Sequence, residues 1–240
     1  MLKSLPKSIC LLSRIRNEEA IIQDFLKYYK DFPIYIYDDC STDKTLEIIK
    51  AHPSVKGIVE GKEWDTDRTR AEYTTRQAVF ERAQQDEYDW FIYVDADERI
   101  VFPNIPYDNF DGVSMKLFDF YITEKDKDKG YKSRKWMGPE YREILMMFRG
   151  FPGLKYEHRD QREMRMPQFS KIAHAGYVKH YGKAIGIDEW ERTCQYYMTH
   201  FPEPYKSKWR DRVGKAVHTK SDFGADLITW DQKEDFGYPL

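Results

Sequence analysis

The sequence predicts an α/β fold: a mainly parallel central sheet covered by helices on both faces. Three observations carry that prediction. Short apolar runs alternate with stretches of helical period through the first hundred residues. The connections between them are short, as right-handed β-α-β crossovers allow. The runs are near-continuously apolar, as in parallel strands buried on both faces.

The elements follow in order. Ser8 to Ser13 (SICLLS) reads as a buried strand. Glu18 to Tyr29 reads as a helix, with Ile21, Ile22, Phe25, Leu26 and Tyr29 at the 3.6-residue period. Ile34 to Tyr37 is β-rich and ends in Asp38-Asp39. Ser41 and Thr42 are placed to N-cap a second helix through Leu46, Ile48 and Ile49, which Pro53 ends. Val55 to Glu60 reads as a weaker strand, Thr69 to Gln85 as a long helix, and Trp90 to Val94 as a fourth strand. In the second half, Gly112–Phe120, Ile144–Phe148 and Ile172–Lys179 read as strands. The polar run 124–136 between the first two reads as a mobile loop and a candidate lid. Asp188 to His200 reads as a helix opened by an Asp188/Glu191 capping box. The tail after Thr219 is expected to wrap or fray. No repeat or linker forces a boundary, so 1–240 is expected to form a single catalytic domain.

Composition bounds the function. A chain of 240 residues suits one generous α/β domain. Its net charge of −2 argues against a general nucleic-acid or anionic-membrane binder. Aromatic residues make up 16%, a supply of flat amphipathic side chains for a cleft, and sugars are one ligand class that stacks on them. Cys10, Cys40 and Cys194 are an odd set without CxxC spacing, so neither a disulfide framework nor a zinc site is suggested. The N-terminal apolar run, Ile9 to Leu12, is too short for a signal or a membrane span. A cytoplasmic protein without a transmembrane segment is the expectation, with peripheral membrane contact left open.

Open parallel sheets bind ligands at the carboxyl ends of their strands. Here those ends carry Arg14, Arg16, Asn17 and Glu18; then Asp38 to Asp43; then Asp65, Asp67, Arg68 and Arg70; then Asp95-Ala96-Asp97-Glu98. Asp95 and Asp97, two apart on extended chain, can reach one point. Two hard oxygen ligands suit Mg²⁺ or Mn²⁺ on a diphosphate.

The segments RNEEAIIQDFLKYY and IYIYDDCSTDKTLEII, followed by RQAVFERAQQDEYDWFIYVDADERI, resemble the family 2 type of GT-A glycosyltransferase. The resemblance covers residues 8–100 and is loose beyond them. It implies a GT-A (Rossmann-like) fold with a nucleotide-sugar-binding half (1–100) and an acceptor-binding half (101–240). It implies transfer from a nucleotide-diphosphate sugar, with inversion, to a glycan or glycoconjugate, and no nucleic-acid partner. Asp39 or Asp38 would contact the base. Asp97 with Asp95 would hold Mn²⁺ or Mg²⁺, and Arg68, Arg70 and Arg76 would line the nucleotide or diphosphate path. Arg14, Asn17, Glu18 and Ala96 complete the expected donor site. Gln77 departs from the pattern, where Asn is usual.

An inverting enzyme also needs a carboxylate to take the acceptor's proton. The enzymes this sequence resembles carry an acidic residue beside a His at about the position of YEHRD, so the resemblance implies Asp160 or Glu157 for that role, and Glu140 trails them. His174 and His180, six apart on a strand, share a face and are candidate metal ligands or diphosphate contacts; Lys183 is a candidate phosphate contact. Trp136, Tyr141, Trp190, Tyr196 and Tyr197 are the candidates for an acceptor platform, although aromatics at helical spacing such as Trp190 and Tyr197 are more often core. A sugar-nucleotidyltransferase is the alternative enzyme, but LLSRIRNEE lacks its Gly-rich signature. A catalytically degenerate sugar-nucleotide-binding module is the alternative without catalysis.

Overall fold

A computed structural model of the chain describes residues 5, 6, 8–156 and 169–240. It divides into two compact units, Met1–Met115 with Ile144–Gly176, and Lys116–Glu143 with Tyr177–Leu240.

In the first unit, β1 (Ile9–Ile15), β2 (Ile34–Asp38), β3 (Val55–Glu60) and β4 (Trp90–Tyr93) are all parallel, in the order β3-β2-β1-β4. Leu12 lies opposite Tyr35 on one side and Tyr93 on the other. Cys10, Leu12, Tyr35, Phe91 and Tyr93 form a core with Val79, Phe80 and Ala83 of the helix α3 (Arg68–Gln84). Leu11, Ile34, Ile36 and Ile92, of the other parity, are also buried, so both faces of the sheet are covered. The helices α1 (Ile22–Tyr28) and α2 (Thr45–Ala51) complete the crossovers. Beyond β4 come β5 (Glu98–Val101), β6 (Gly112–Phe120), β7 (Trp136–Arg149) and β8 (Ile172–His180). The strand β7 runs antiparallel to β4, with Trp90 opposite Arg149. The expected α/β architecture, with a mostly parallel central sheet flanked by helices, is the one found.

The second unit holds one end each of β6, β7 and β8, followed by α4 (Ile187–His200), α5 (Tyr205–Arg210), β9 (Ile228–Thr229), α6 (Lys233–Phe236) and β10 (Tyr238–Pro239). The tail wraps: β9 pairs antiparallel with β7 and β10 pairs parallel with it. Phe118, Phe120, Met137, Tyr181 and Ile228 form one core there, and Trp190, Cys194, Trp209 and Ala216 another.

Three local expectations are corrected. Neither Ser41 nor Thr42 caps α2; Lys44 holds the N-cap, and the Asp43 carboxylate instead accepts the Thr45 amide at 2.9 Å. The Asp188/Glu191 capping box does not form, because Gly186 is the N-cap and Glu191 accepts the Gly214 amide at 2.9 Å. The run 124–136 is pinned rather than loose. Asp126 accepts from the Thr123 amide and hydroxyl, and the buried Arg134 donates to the Ala184 carbonyl at 2.9 Å. The strand expected at Ile144–Phe148 is the end of a longer one, since β7 begins at Trp136 and runs through Gly138 and Pro139.

Candidate functional site

The site in the first unit begins where β1 and β2 end. The turns after them are laced together: the Ser41 hydroxyl accepts the Asn17 amide at 3.1 Å, and Asn17 Oδ1 accepts the Thr42 amide at 2.8 Å. The Glu18 amide donates to Thr45 Oγ1 at 2.8 Å. Asn17 and Cys40 take positive φ angles, 53° and 58°, which non-glycine residues adopt at a cost. Both outliers fall in these two turns, and the mutual hydrogen bonds hold them there.

Asp38 and Asp39 are both buried but differ in their partners. Asp39 Oδ2 accepts from Arg68 Nη2 at 2.5 Å and lies 3.4 Å from Arg14 Nη2. Asp38 Oδ2 accepts the Ser41 amide at 3.1 Å, while its buried Oδ1 has no hydrogen-bond partner among the described residues. A buried acceptor without a donor is costly, and a ligand N–H placed there would remove that cost. Arg14 and Arg76 clamp Glu72, each at 2.5 Å. Burial works to raise the Glu72 carboxyl, but Arg76 and Arg14 outweigh it and hold it at about 2. Arg70 is engaged at the surface, forked onto Asp65 at 2.7 and 2.8 Å.

The acidic turn after β4 is built by its own Glu and Arg. Glu98 Oε2 accepts the Asp95 amide at 3.0 Å, closing the turn. Arg99 Nη1 donates to the Ala96 and Glu98 carbonyls at 2.7 and 2.8 Å, and its Nη2 reaches Asp24 at 3.1 Å. Ala96 is thereby buried as a backbone anchor. One carboxylate oxygen each of Asp97 and Glu98 lies within 4.8 Å of the other. Burial, then the charges of Asp97 and Asp95, push the Glu18 carboxyl well above the usual range. Carboxyls from the β1 and β4 ends are therefore close enough to repel.

In the second unit, His180 Nδ1 lies 2.5 Å from Asp119, which also accepts from Arg142 at 2.8 Å and from Lys183 at 2.8 Å. Lys183 bridges onward to Asp222 at 2.6 Å, where Arg212 donates at 2.5 Å. Burial opposes the charge of Asp119, yet Lys183, His180 and Arg142 hold its carboxyl well below the ordinary range. Lys183 is thus committed to two carboxylates. Glu140 accepts from Ser221 at 2.7 Å and Tyr238 at 3.1 Å, bonds that fix the tail on β7. Trp190 is buried, and Tyr197 stacks on Trp209 at 4.5 Å, so both serve the core. His174 is an exposed residue of β8 in the first unit. Glu157 and Asp160 lie outside the described residues.

Trp64, Glu72 and Arg99, which the sequence did not single out, help to hold this site together. Arg16 and Arg68 lie over the Trp64 ring, at 4.6 and 4.9 Å. Glu72, Arg99 and Gln77 do the same work elsewhere; Gln77 Oε1 accepts the Tyr156 amide at 2.8 Å. Only the acid-then-Arg order of Glu98-Arg99 was legible as a signal.

An arginine-anchored carboxylate after β2 and a separate acidic turn after β4 thus stand at the carboxyl ends of one parallel sheet. Residues 12–106 match the family model "Glycosyl transferase family 2". Glycosyl transfer in general is the activity that this match supports. No curated protein matches the chain at a significant level. Among solved structures, the crystal structure of HddC from Yersinia pseudotuberculosis is similar at 8% identity, covering 78% of this chain and 98% of that one. Its TM-score of 0.34 is too low to bear on fold or function. No helix among the described residues is long and apolar enough to cross a membrane.

Proposed function

We propose that the protein transfers a hexosyl or deoxyhexosyl group from a uridine-diphosphate sugar to a hydroxyl of a glycan or glycoconjugate, with inversion. The observation that carries this reading is the acidic turn at the carboxyl end of β4, where carboxylate oxygens of Asp97 and Glu98 lie within 4.8 Å of one another. The donor set fits a hard divalent cation: carboxylate oxygens of Asp95 and Asp97 on a turn fixed by Glu98 and Arg99. Mn²⁺ or Mg²⁺ held there would neutralise charge on the departing diphosphate.

The chain's own residues supply the rest. Asp38 Oδ1, buried and without a partner among the described residues, is suited to accept the N–H of the base, while Asp39 anchors Arg68 and Arg14 beside it. Arg68, Arg70 and Arg76 belong to the nucleotide path, and Asn17 shapes its floor. Asp160, with Glu157, is the proposed base: it takes the acceptor's O–H proton as the new C1–O bond forms and the C1–O bond to the diphosphate breaks. His180 and His174 are proposed as auxiliary metal or diphosphate contacts. The 1–100 half takes the donor and the 101–240 half the acceptor.

Thermal-shift titration with nucleotide diphosphates and their sugars, with and without Mn²⁺, tests the reading. A shift seen with uridine nucleotides and only with metal is expected, and Asp97→Ala should remove it without lowering the melting temperature of the free protein. Unchanged metal-dependent affinity in Asp97→Ala would overturn the metal assignment.

A further inference from the structure

The chain as a whole is slightly acidic, yet its cations are not evenly spread. Residues 205–220 carry six Lys and Arg against one Asp, while the whole chain has a net charge of −2. This segment forms α5 and the turns after it, all within the second unit. The α5 helix has one buried side chain, Trp209, stacked on Tyr197 and 5.9 Å from Trp190. That anchoring leaves Tyr205, Lys208 and Arg210 exposed and Lys206 half-buried. Arg210 lies 3.9 Å from the exposed Glu203, whose carboxyl Lys206 also helps to hold down, while Lys206, Lys208 and Lys215 form no ion pair among the described residues. Burial, then the neighbouring Arg212 and Lys183 charges, depress the Lys208 ammonium, so cations here repel one another.

Apolar side chains project beside these cations. Phe223 is 60% exposed, Tyr205 51% and Val213 39%. Phe223 is not on a loose loop. Ser221 Oγ accepts the Phe223 and Ala225 amides at 3.3 and 3.2 Å, and Gly224 turns the chain at φ 85°. The Arg212–Asp222 ion pair, at 2.5 Å, ties this turn to the one carrying Val213. A rigid turn that holds an aromatic ring in water, tied to a segment with a surplus of cations, loses apolar burial for no benefit to the fold.

We propose that α5 and the turns at 211–214 and 221–225 dock the protein on an anionic lipid bilayer. Lys206, Lys208, Arg210 and Lys215 face the headgroups, while Phe223, Val213 and Tyr205 enter the interface. Charge complementarity selects this occupant: basic side chains close to an anionic leaflet each strengthen binding, and aromatic residues favour the headgroup level. The overall acidity does not oppose it, because the field that matters falls off within about a Debye length, ~10 Å. Resting on the transferase reading, the docking narrows the acceptor to a glycan carried on a lipid at that surface. Docking itself can be measured without turnover.

The test is flotation of the full chain with vesicles of phosphatidylcholine alone, or with about one-third phosphatidylglycerol. Binding is expected only to the anionic vesicles, weakening more than tenfold as salt rises from about 0.05 to about 0.5 M. The triple variant Lys206→Glu, Lys208→Glu, Arg210→Glu should lose about a hundredfold or more, at about fivefold per charge removed. Phe223→Ser should lose about tenfold. Both variants should keep the wild-type melting temperature and metal-dependent nucleotide binding. Failure of that nucleotide binding in the wild-type chain would strike the transferase reading and leave the docking result standing. Absence of vesicle binding by the folded protein, equal binding to both vesicle types, or retention on nucleic acid without vesicle binding would each overturn the proposal.

Discussion

Arg68 Nη2 donates to Asp39 Oδ2 at 2.5 Å, with the two side chains only 1% and 2% exposed. The pair joins the end of β2 to the first residue of α3, and Arg14 stands 3.4 Å from the same oxygen. Breaking a buried pair leaves an uncompensated charge, a larger penalty than losing a surface contact. Arg68→Ala should therefore lower unfolding stability by about 3 kcal/mol in urea denaturation. The double variant Arg68→Met, Asp39→Asn should recover part of that loss. Strict additivity of the two changes would mean that the pair is not coupled.

The Glu98–Asp95 contact leads to a second prediction. Removing the Glu98 carboxylate frees a backbone amide in the acidic turn and loosens the ligands it aims. Glu98→Ala should cost about 2 kcal/mol of stability. It should also weaken Mn²⁺ affinity, measured calorimetrically with nucleotide present, by about ten- to a hundredfold. Glu98→Gln keeps an acceptor oxygen and should stay within about threefold of wild type. A tenfold loss in Glu98→Gln would instead make Glu98 a direct ligand.

Glu72 sets an acid limit. Its folded carboxyl is held at about 2 against an ordinary value of 4.5, so its contribution is complete above pH 4.5 and lost as pH falls toward about 2. Partial exposure reduces the effect to about 2 kcal/mol. Urea midpoints measured from pH 6 down to pH 2 should fall less steeply in Glu72→Gln than in wild type. Parallel profiles would remove Glu72 from the acid response.

Much of the fold was legible because buried parallel strands write their burial into consecutive residues. The runs at β1, β2 and β4 needed no partner to be recognised, and α3 showed its length through spacing. The caps were not legible. Ser41, Thr42 and Asp188 carry the chemistry of caps, but a neighbouring turn offered the same amides and carboxylates better-placed partners. β7 was half hidden because Gly138 and Pro139 signal a break locally, while the pairing of β9 and β10 with that stretch comes from residues about ninety positions away.

The same division runs through the site. The sequence by itself determined that acids and arginines gather at strand ends, because strand alternation and crossover topology send those residues to one edge. It also supplied the family 2 resemblance, through residues 8–100. Only the tertiary structure decided which acid does what. Asp38 and Asp39 are adjacent and chemically identical, yet Asp39 is tied to Arg68 while Asp38 keeps a buried oxygen without a donor among the described residues. The same holds for the net charge of −2, which conceals a basic, aromatic-edged surface at α5. Composition sums over the chain, whereas burial and pairing act over a few ångströms, and chemistry follows the shorter distance.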